Sequence, residues 1–261
     1  MRHRTRFFFA QLLLAAAMLG AGVPAAAAEP VKITVGKPLP RFEKLEPGMR
    51  TYLRYRVSKE GVPAAADVQT KEIRFEEQDG QRRVRIVQRW EGASQSLRLD
   101  SLFEDKTLRP LTHQRDHHKD GKVRREGFRF LPGKVVGVAE QTDNDRKDFE
   151  IAAPVPTFNF ETDMETLQAL PLGKGAEFEI VFYHPGSGVP APYTFKVAGE
   201  EKLLLAGVPI DCWVVTTDYN APERGISRFW LAKKSQMVVR THSPLPDGSS
   251  ILKVLLPASG G

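Results

Sequence analysis

Two Asp-Gly dipeptides, each set between runs that alternate apolar and charged residues, constrain this chain more than any other feature. In IRFEEQDGQRRVRIVQRW, Asp79-Gly80 is a favoured two-residue hairpin turn, because both positions take positive φ. Folding the chain there pairs Glu77 with Arg82 and Glu76 with Arg83. It also pairs Phe75 with Val84 and Ile73 with Ile86, so charge meets opposite charge and apolar meets apolar across the strands. In LTHQRDHHKDGK the turn is Asp120-Gly121, and the same operation sets Arg115 against Glu126, Asp116 against Arg125 and His113 against Phe128. Pro132-Gly133 returns the chain once more. Hairpins that follow one another this closely predict an antiparallel meander.

The histidines of the second hairpin raise the question of a metal. His113 and His117 share a strand face, but four residues of strand span ~13 Å. Ligands that must each approach one ion to about 2 Å do not fit that spacing on a straight strand. His117 and His118 point to opposite faces. A solvated hairpin is expected here, with no metal and no cofactor.

Period-two alternation continues elsewhere. In RTYLRYRVSK, Thr51, Leu53, Tyr55 and Val57 form one face, and Tyr52, Arg54 and Arg56 the other. The first face is read as the buried one. Later segments, AEFEIVFYH, YTFKVAGEE, VPIDCWVVTT, SRFWLAKK, QMVVRTHS and ILKVLL, add strands, with a further hairpin turn over Lys233 to Gln236. One helix interrupts them. Thr162-Asp163-Met164-Glu165 fits a capping box, and Met164, Leu167 and Leu170 fall at helical spacing before Pro171. Glu161, Asp163 and Glu165 are read as acidic residues favouring the dipole of its first turn. The expected fold is mainly β: a curved antiparallel half-barrel, a meander of about a dozen strands with one short helix.

The N-terminus has three arginines, an apolar run from Phe7 to Leu19 and a small-residue stretch ending at Ala28. That is the layout of a secretory signal peptide cleaved after about Ala28, and it implies a periplasmic protein with no transmembrane segment after processing. Residues 29–48 form a proline-rich lead-in, and residues 49–257 one β domain. Loss of Arg2, Arg4 and Arg6 lowers the net charge from +6 to +3, a mild excess that does not point to a nucleic-acid partner. The lone cysteine, Cys212, is placed by alternation on a strand face with Val208, Ile210 and Val214. It is read as an inert buried thiol; a chain with one cysteine forms no internal disulfide. Gly186-Ser187-Gly188 and Gly173-Lys174-Gly175 lack the context of a nucleophile elbow or a phosphate loop. No catalytic residues are assigned, and a non-enzymatic role is expected.

DKTLRPLTHQRD resembles the Asp-x-Thr-Leu-x-Pro strand opening of a Gram-negative envelope family known as domain of unknown function 3108. The course LQALPLGKGAEFEIVFYHP, VAGEEK, VPIDCWVVTT, SRFWLAKKSQMVVR is similar to that family as well. Its members look like the half-barrels of lipoprotein carriers in the LolA and LolB class, in which a sheet wraps an apolar hollow that holds acyl chains. The resemblance implies that Leu53, Tyr55, Ile73, Phe75, Val84, Ile86 and Trp90 line the concave face. Those carriers cover the hollow with several helices, whereas this chain offers one.

The arginines Arg54, Arg56, Arg83 and Arg85 are read on outward positions. They either keep a sheet face soluble or contact an anionic lipid surface. The expected ligand is a lipid or lipoprotein. The alternative is an envelope assembly factor that takes a protein partner by strand addition at a sheet edge.

Overall fold

A computed structural model describes residues 29–257; the signal-peptide reading lies outside them. The chain folds into sixteen strands: β1 Val31–Ile33, β2 Gly48–Val57, β3 Pro63–Gln78, β4 Gln81–Glu91, β5 Gln95–Glu104, β6 Pro110–Lys119, β7 Lys122–Leu131, β8 Gly133–Gly137, β9 Glu150–Ala153, β10 Phe158–Asn159, β11 Glu177–His184, β12 Ser187–Leu205, β13 Val208–Thr217, β14 Ser227–Ala232, β15 Val238–Pro244 and β16 Ser250–Leu255. The count exceeds a dozen in part because β9 and β10, of four and two residues, are too short to show alternation. Among the described residues the only α-helix is α1, Asp163–Gln168.

All the strands belong to one curved, open sheet. Its order is β1-β11-β12-β13-β14-β15-β16-β2-β3-β4-β5-β6-β7-β8-β9, with β10 also on β11. The two meanders, β2 to β9 and β11 to β16, are joined by the antiparallel pair β16–β2. Only β1 and β10 run parallel to their neighbour β11. The path ends at β9 and does not return to β1, so the sheet does not close into a barrel.

Both Asp-Gly hairpins form in the expected register. Ile73 faces Ile86 and Phe75 faces Val84, and Arg115 faces Glu126 and His113 faces Phe128. The turn residues adopt the required left-handed backbone, with φ of 53° and 69° at Asp79 and Gly80 and 51° and 73° at Asp120 and Gly121.

The hollow of the sheet holds the main core. Ile73, Val84, Ile86, Phe178, Ile180, Phe195 and Phe229 pack from the sheet against Leu39 and Leu45 of the lead-in and Met164, Leu167 and Leu170 of the helical segment. Residues 29–48 are therefore part of the packed structure, with a 3₁₀ turn at Phe42–Lys44. A second apolar cluster, Cys212, Val214, Trp230, Ala232 and Val239, lies on the other face of the sheet. There Leu203, Leu204 and Leu205 at the end of β12 border a small pocket with Tyr55, Val239 and Val254.

That second cluster explains a correction. On β2 it is Tyr52 that enters the hollow, 2% exposed, its hydroxyl donating to the Val238 carbonyl at 2.9 Å. Leu53 and Tyr55 point to the opposite face. The alternation is real, but both faces of β2 are covered, so apolarity did not mark the inner one.

The capping box is not made. The Thr162 hydroxyl donates back to the Asn159 carbonyl at 3.0 Å and makes no capping bond to α1. Glu165 is drawn instead to a lysine across the hollow.

Candidate functional site

The inner face of the sheet changes character along its length. At one end Ile73, Val84 and Ile86 are no more than 1% exposed. With Phe75, which packs against them half-buried, they belong to the core shared with Leu39, Leu45 and the helix. These four residues face the hollow, but the protein's own side chains cover Ile73, Val84 and Ile86, and only Phe75 borders a groove, with Leu39, Phe42 and Leu45.

Toward the middle the face turns polar. Lys71 on β3 is 1% exposed, and its Nζ stands 3.0 Å from both carboxylate oxygens of Glu165 on α1. Gln69 donates to Gln88 Oε1 at 2.9 Å, and Gln88 donates to the Glu161 carbonyl at 2.7 Å. Arg115 bridges Glu126 at 3.0 Å and Glu161 at 2.7 Å. The hydroxyl of Tyr219 donates to Asp163 Oδ2 at 3.1 Å. Glu161 and Glu165 thus tie the helical plug to β6 and β3, and Asp163 ties it to the turn after β13, a role distinct from the dipole contact expected of them.

Past this polar middle lie two half-buried aromatic groups: Phe160, Tyr193 and Tyr219, packed against the core, and Trp90 with Arg54 and Lys253. Phe160 sits 5.8 Å from Tyr193 and 5.3 Å from Tyr219, centroid to centroid. The Arg54 guanidinium lies 4.2 Å over the Trp90 ring, while its Nε donates to Asp67 at 2.8 Å. Lys253, beside Arg54 in register, has its Nζ 5.4 Å from the same ring. Burial, with Lys71 nearby, lowers the Lys253 pKa to about 8. Burial raises that of Asp163 and lifts that of Tyr219 well above the phenolic range.

Of the four arginines read as rim contacts, only Arg54 faces the hollow. Arg85 lies on the outer face, bound to Glu76 at 3.0 Å and Asp100 at 2.8 Å, and Arg83 is on the same face, bonded to Gln81. Arg56 follows a register shift in β2 and pairs with Asp247 and Ser249 in the β15–β16 turn. Their outward positions hold for Arg83 and Arg85, and their charges are engaged by neighbours.

His113 is another correction: it is buried, not solvated. Its Nδ1 lies 2.8 Å from Ser101 Oγ and accepts from the Asn159 amide at 3.2 Å, which leaves the proton on an Nε2 without a partner among the described residues. Burial lowers its pKa to about 4. Ser101 faces it from the adjacent strand β5, but Asn159 comes from a distant segment, of which the hairpin carried no sign. Cys212 is buried as expected, and burial raises its thiol pKa to about 11.

Lys253, Lys71, Gln69 and Gln88 went unnoticed in the sequence. The available signal was a polar residue on the inner face of an otherwise alternating strand, as at Lys253 in ILKVLL.

Where the sheet fails to close, a groove of about 620 Å³ runs between β1 and the segment after β9. Ile33, Val35, Ala152, Val155, Val181 and Val189 line it.

No curated protein matches this chain. Among solved structures, a β-barrel-like protein of domain of unknown function DUF1849 from Brucella abortus superposes with a TM-score of 0.51 at 10% identity, over 81% of this chain and 96% of that one. The hypothetical lipoprotein YmcC from Escherichia coli aligns with a TM-score of 0.31 at 16% identity, over 82% and 88%. A DUF1329 family protein from Desulfovibrio piger aligns with a TM-score of 0.31 at 11% identity, over 82% and 86%. The model of the family described as "protein of unknown function (DUF3108)" matches residues 54–256, and with the curved open sheet this places the chain in that family.

Proposed function

We propose that this is a non-enzymatic periplasmic protein that binds an amphipathic envelope ligand, a lipid or the acyl part of a lipoprotein, at the open end of its hollow. The observations that support this reading are a half-buried Trp90 beside Arg54 and Lys253 and the half-buried rings of Phe160, Tyr193 and Tyr219. Aromatic side chains offer large apolar area at little rotamer cost, and apolar area removed from water contributes ~25 cal/mol per Å². The filled apolar end favours a ligand held across this mouth over one threaded against Ile73, Val84 and Ile86. Organic extracts of the protein purified from envelopes, analysed by mass spectrometry, are expected to contain a stoichiometric amphipath. Extracts without lipid, together with a melting temperature that no added lysolipid or fatty acid shifts, would count against the reading.

A second reading, strand addition by an envelope protein, is favoured by the groove where the sheet stays open, because β1 and β9 each keep one edge unpaired there. A photo-crosslinker at Val155 that captures one discrete protein partner in cells would support it. Capture only of abundant bystanders would not.

A further inference from the structure

The amphipath reading leaves open what the mouth recognises, and three unmet polar requirements at it and just inside it bear on that. Lys253 makes no ion pair and no hydrogen bond among the described residues, although every other charge on the inner face near it is matched. Arg54 is matched by Asp67, Lys71 by Glu165, and Asp163 by the Tyr219 hydroxyl and the Met164 amide. The second and third requirements are buried atoms without partners, the Trp90 Nε1–H donor and the Gln69 Oε1 acceptor. These two residues stand directly opposite each other on β4 and β3. The Gln69 amide cannot turn round to help itself, because its Nε2 is committed to Gln88, whose own amide is committed to the Glu161 carbonyl. Desolvation sharpens the first of these: an ammonium partly withdrawn from water is costly until an anion meets it.

We infer that Lys253 and Trp90 form a head-group site that takes the anionic end of the amphipath, a carboxylate or phosphate, with Gln69 accepting from a hydroxyl on the same head group. The inference rests on the amphipath reading and specifies it. An anion there receives a charge-assisted hydrogen bond from Lys253 and a second from the indole N–H, while the rings of Phe160, Tyr193 and Tyr219 offer the apolar part a surface. The depressed pKa of Lys253 fits an ammonium waiting for such a partner. The negative charge of Asp163 acts on the same ammonium, but its two oxygens are engaged elsewhere.

Titration calorimetry of the full processed chain tests this, with four probes below their micellar concentrations: lauroyl lysophosphatidate, laurate, uncharged monolaurin and inorganic phosphate. The expected result is that one or both anionic amphipaths bind at least about tenfold more tightly than monolaurin. Lys253→Met is expected to erase that difference in a protein that still unfolds in one cooperative transition. The Trp90 indole proton should move downfield in NMR spectra as the anionic probe is added. A preference for lysophosphatidate over laurate identifies a phosphate with its hydroxyl; the reverse identifies a carboxylate. Inorganic phosphate binding as tightly as the lysolipid would uphold the anion site and remove the amphipath. Equal binding of charged and uncharged amphipaths, unaffected by Lys253→Met, would overturn the head-group site and leave the amphipath reading standing. No binding by any probe would overturn both.

Discussion

Lys71 and Glu165 meet inside the hollow as a buried ion pair, the lysine Nζ 3.0 Å from both carboxylate oxygens, and so join strand β3 to helix α1. Their side chains are 2% and 5% exposed. Breaking such a pair from one side leaves a buried charge uncompensated, at a cost of about 3–5 kcal/mol, whereas removing both partners in favour of apolar residues is often close to neutral. Lys71→Met and Glu165→Leu are each expected to lower the unfolding free energy by roughly that amount, and the double variant to recover most of it. Urea denaturation of the four proteins checks this. Additive losses in the double variant would contradict it.

Ile86 and Trp90 face the same hollow but play different parts. Ile86 is 0% exposed in the core, so Ile86→Ala is expected to cost about 2–5 kcal/mol and to leave ligand affinity within about twofold. Trp90→Leu is expected to weaken lysolipid binding by about tenfold or more, with a smaller effect on unfolding. Paired chemical denaturation and calorimetry measure both. Equal loss of affinity in the two variants would show that the apolar end also takes ligand.

His113 makes stability depend on pH in a definite window. Its folded pKa, lowered to about 4 mainly by burial, lies below the ordinary value of 6.5, so the unfolded chain binds the proton more readily. Stability present above pH 6.5 is therefore lost as pH falls toward 4, by at most about 3 kcal/mol. In His113→Gln that part of the loss should vanish. Unfolding free energies of both proteins between pH 7 and 4.5 give the difference, in which the common carboxylate titrations cancel. A flat difference would contradict the burial of a neutral imidazole.

Gly137 carries a backbone constraint. A Cβ there would lie 1.8 Å from the Arg146 carbonyl oxygen, because the acidic loop after β8 crosses directly over it, held by Asn144 hydrogen bonds to both the amide and carbonyl of Gly127 at 2.9 Å. Gly137→Ala is expected to destabilise by more than the ~1 kcal/mol typical of a point substitution, whereas Gly80→Ala meets no atom within 4 Å and strains only its turn. Thermal melts of the two variants rank them.

These contrasts show which parts of the molecule were legible in its residues. Hairpin registers were, because pairing such as Phe75 with Val84 is local and each strand carries its complement within ten residues or so. Inner and outer faces were legible on β3 and β4, where the outer positions are charged. On β2 they were not, because a distant hairpin end also covers the outer face near Tyr55. The polar interior was hidden for a related reason. Lys71 looks like any solvated strand lysine until Glu165 arrives from 94 positions away, and His113 looks exposed until Ser101 and Asn159 enclose it. Complementarity between sequence-distant residues leaves no periodic mark.

The most direct test of the central claim, that the polar, aromatic mouth holds the ligand while the apolar end is filled by the protein itself, is quenching by a brominated acyl chain. In Trp213→Phe/Trp230→Phe protein, which keeps Trp90 alone, added bromo-lysophosphatidate is expected to quench the emission saturably, with one amphipath per chain. Trp90 emission unchanged up to the micellar limit, in protein shown to be folded by its unaltered melting temperature, would contradict the account.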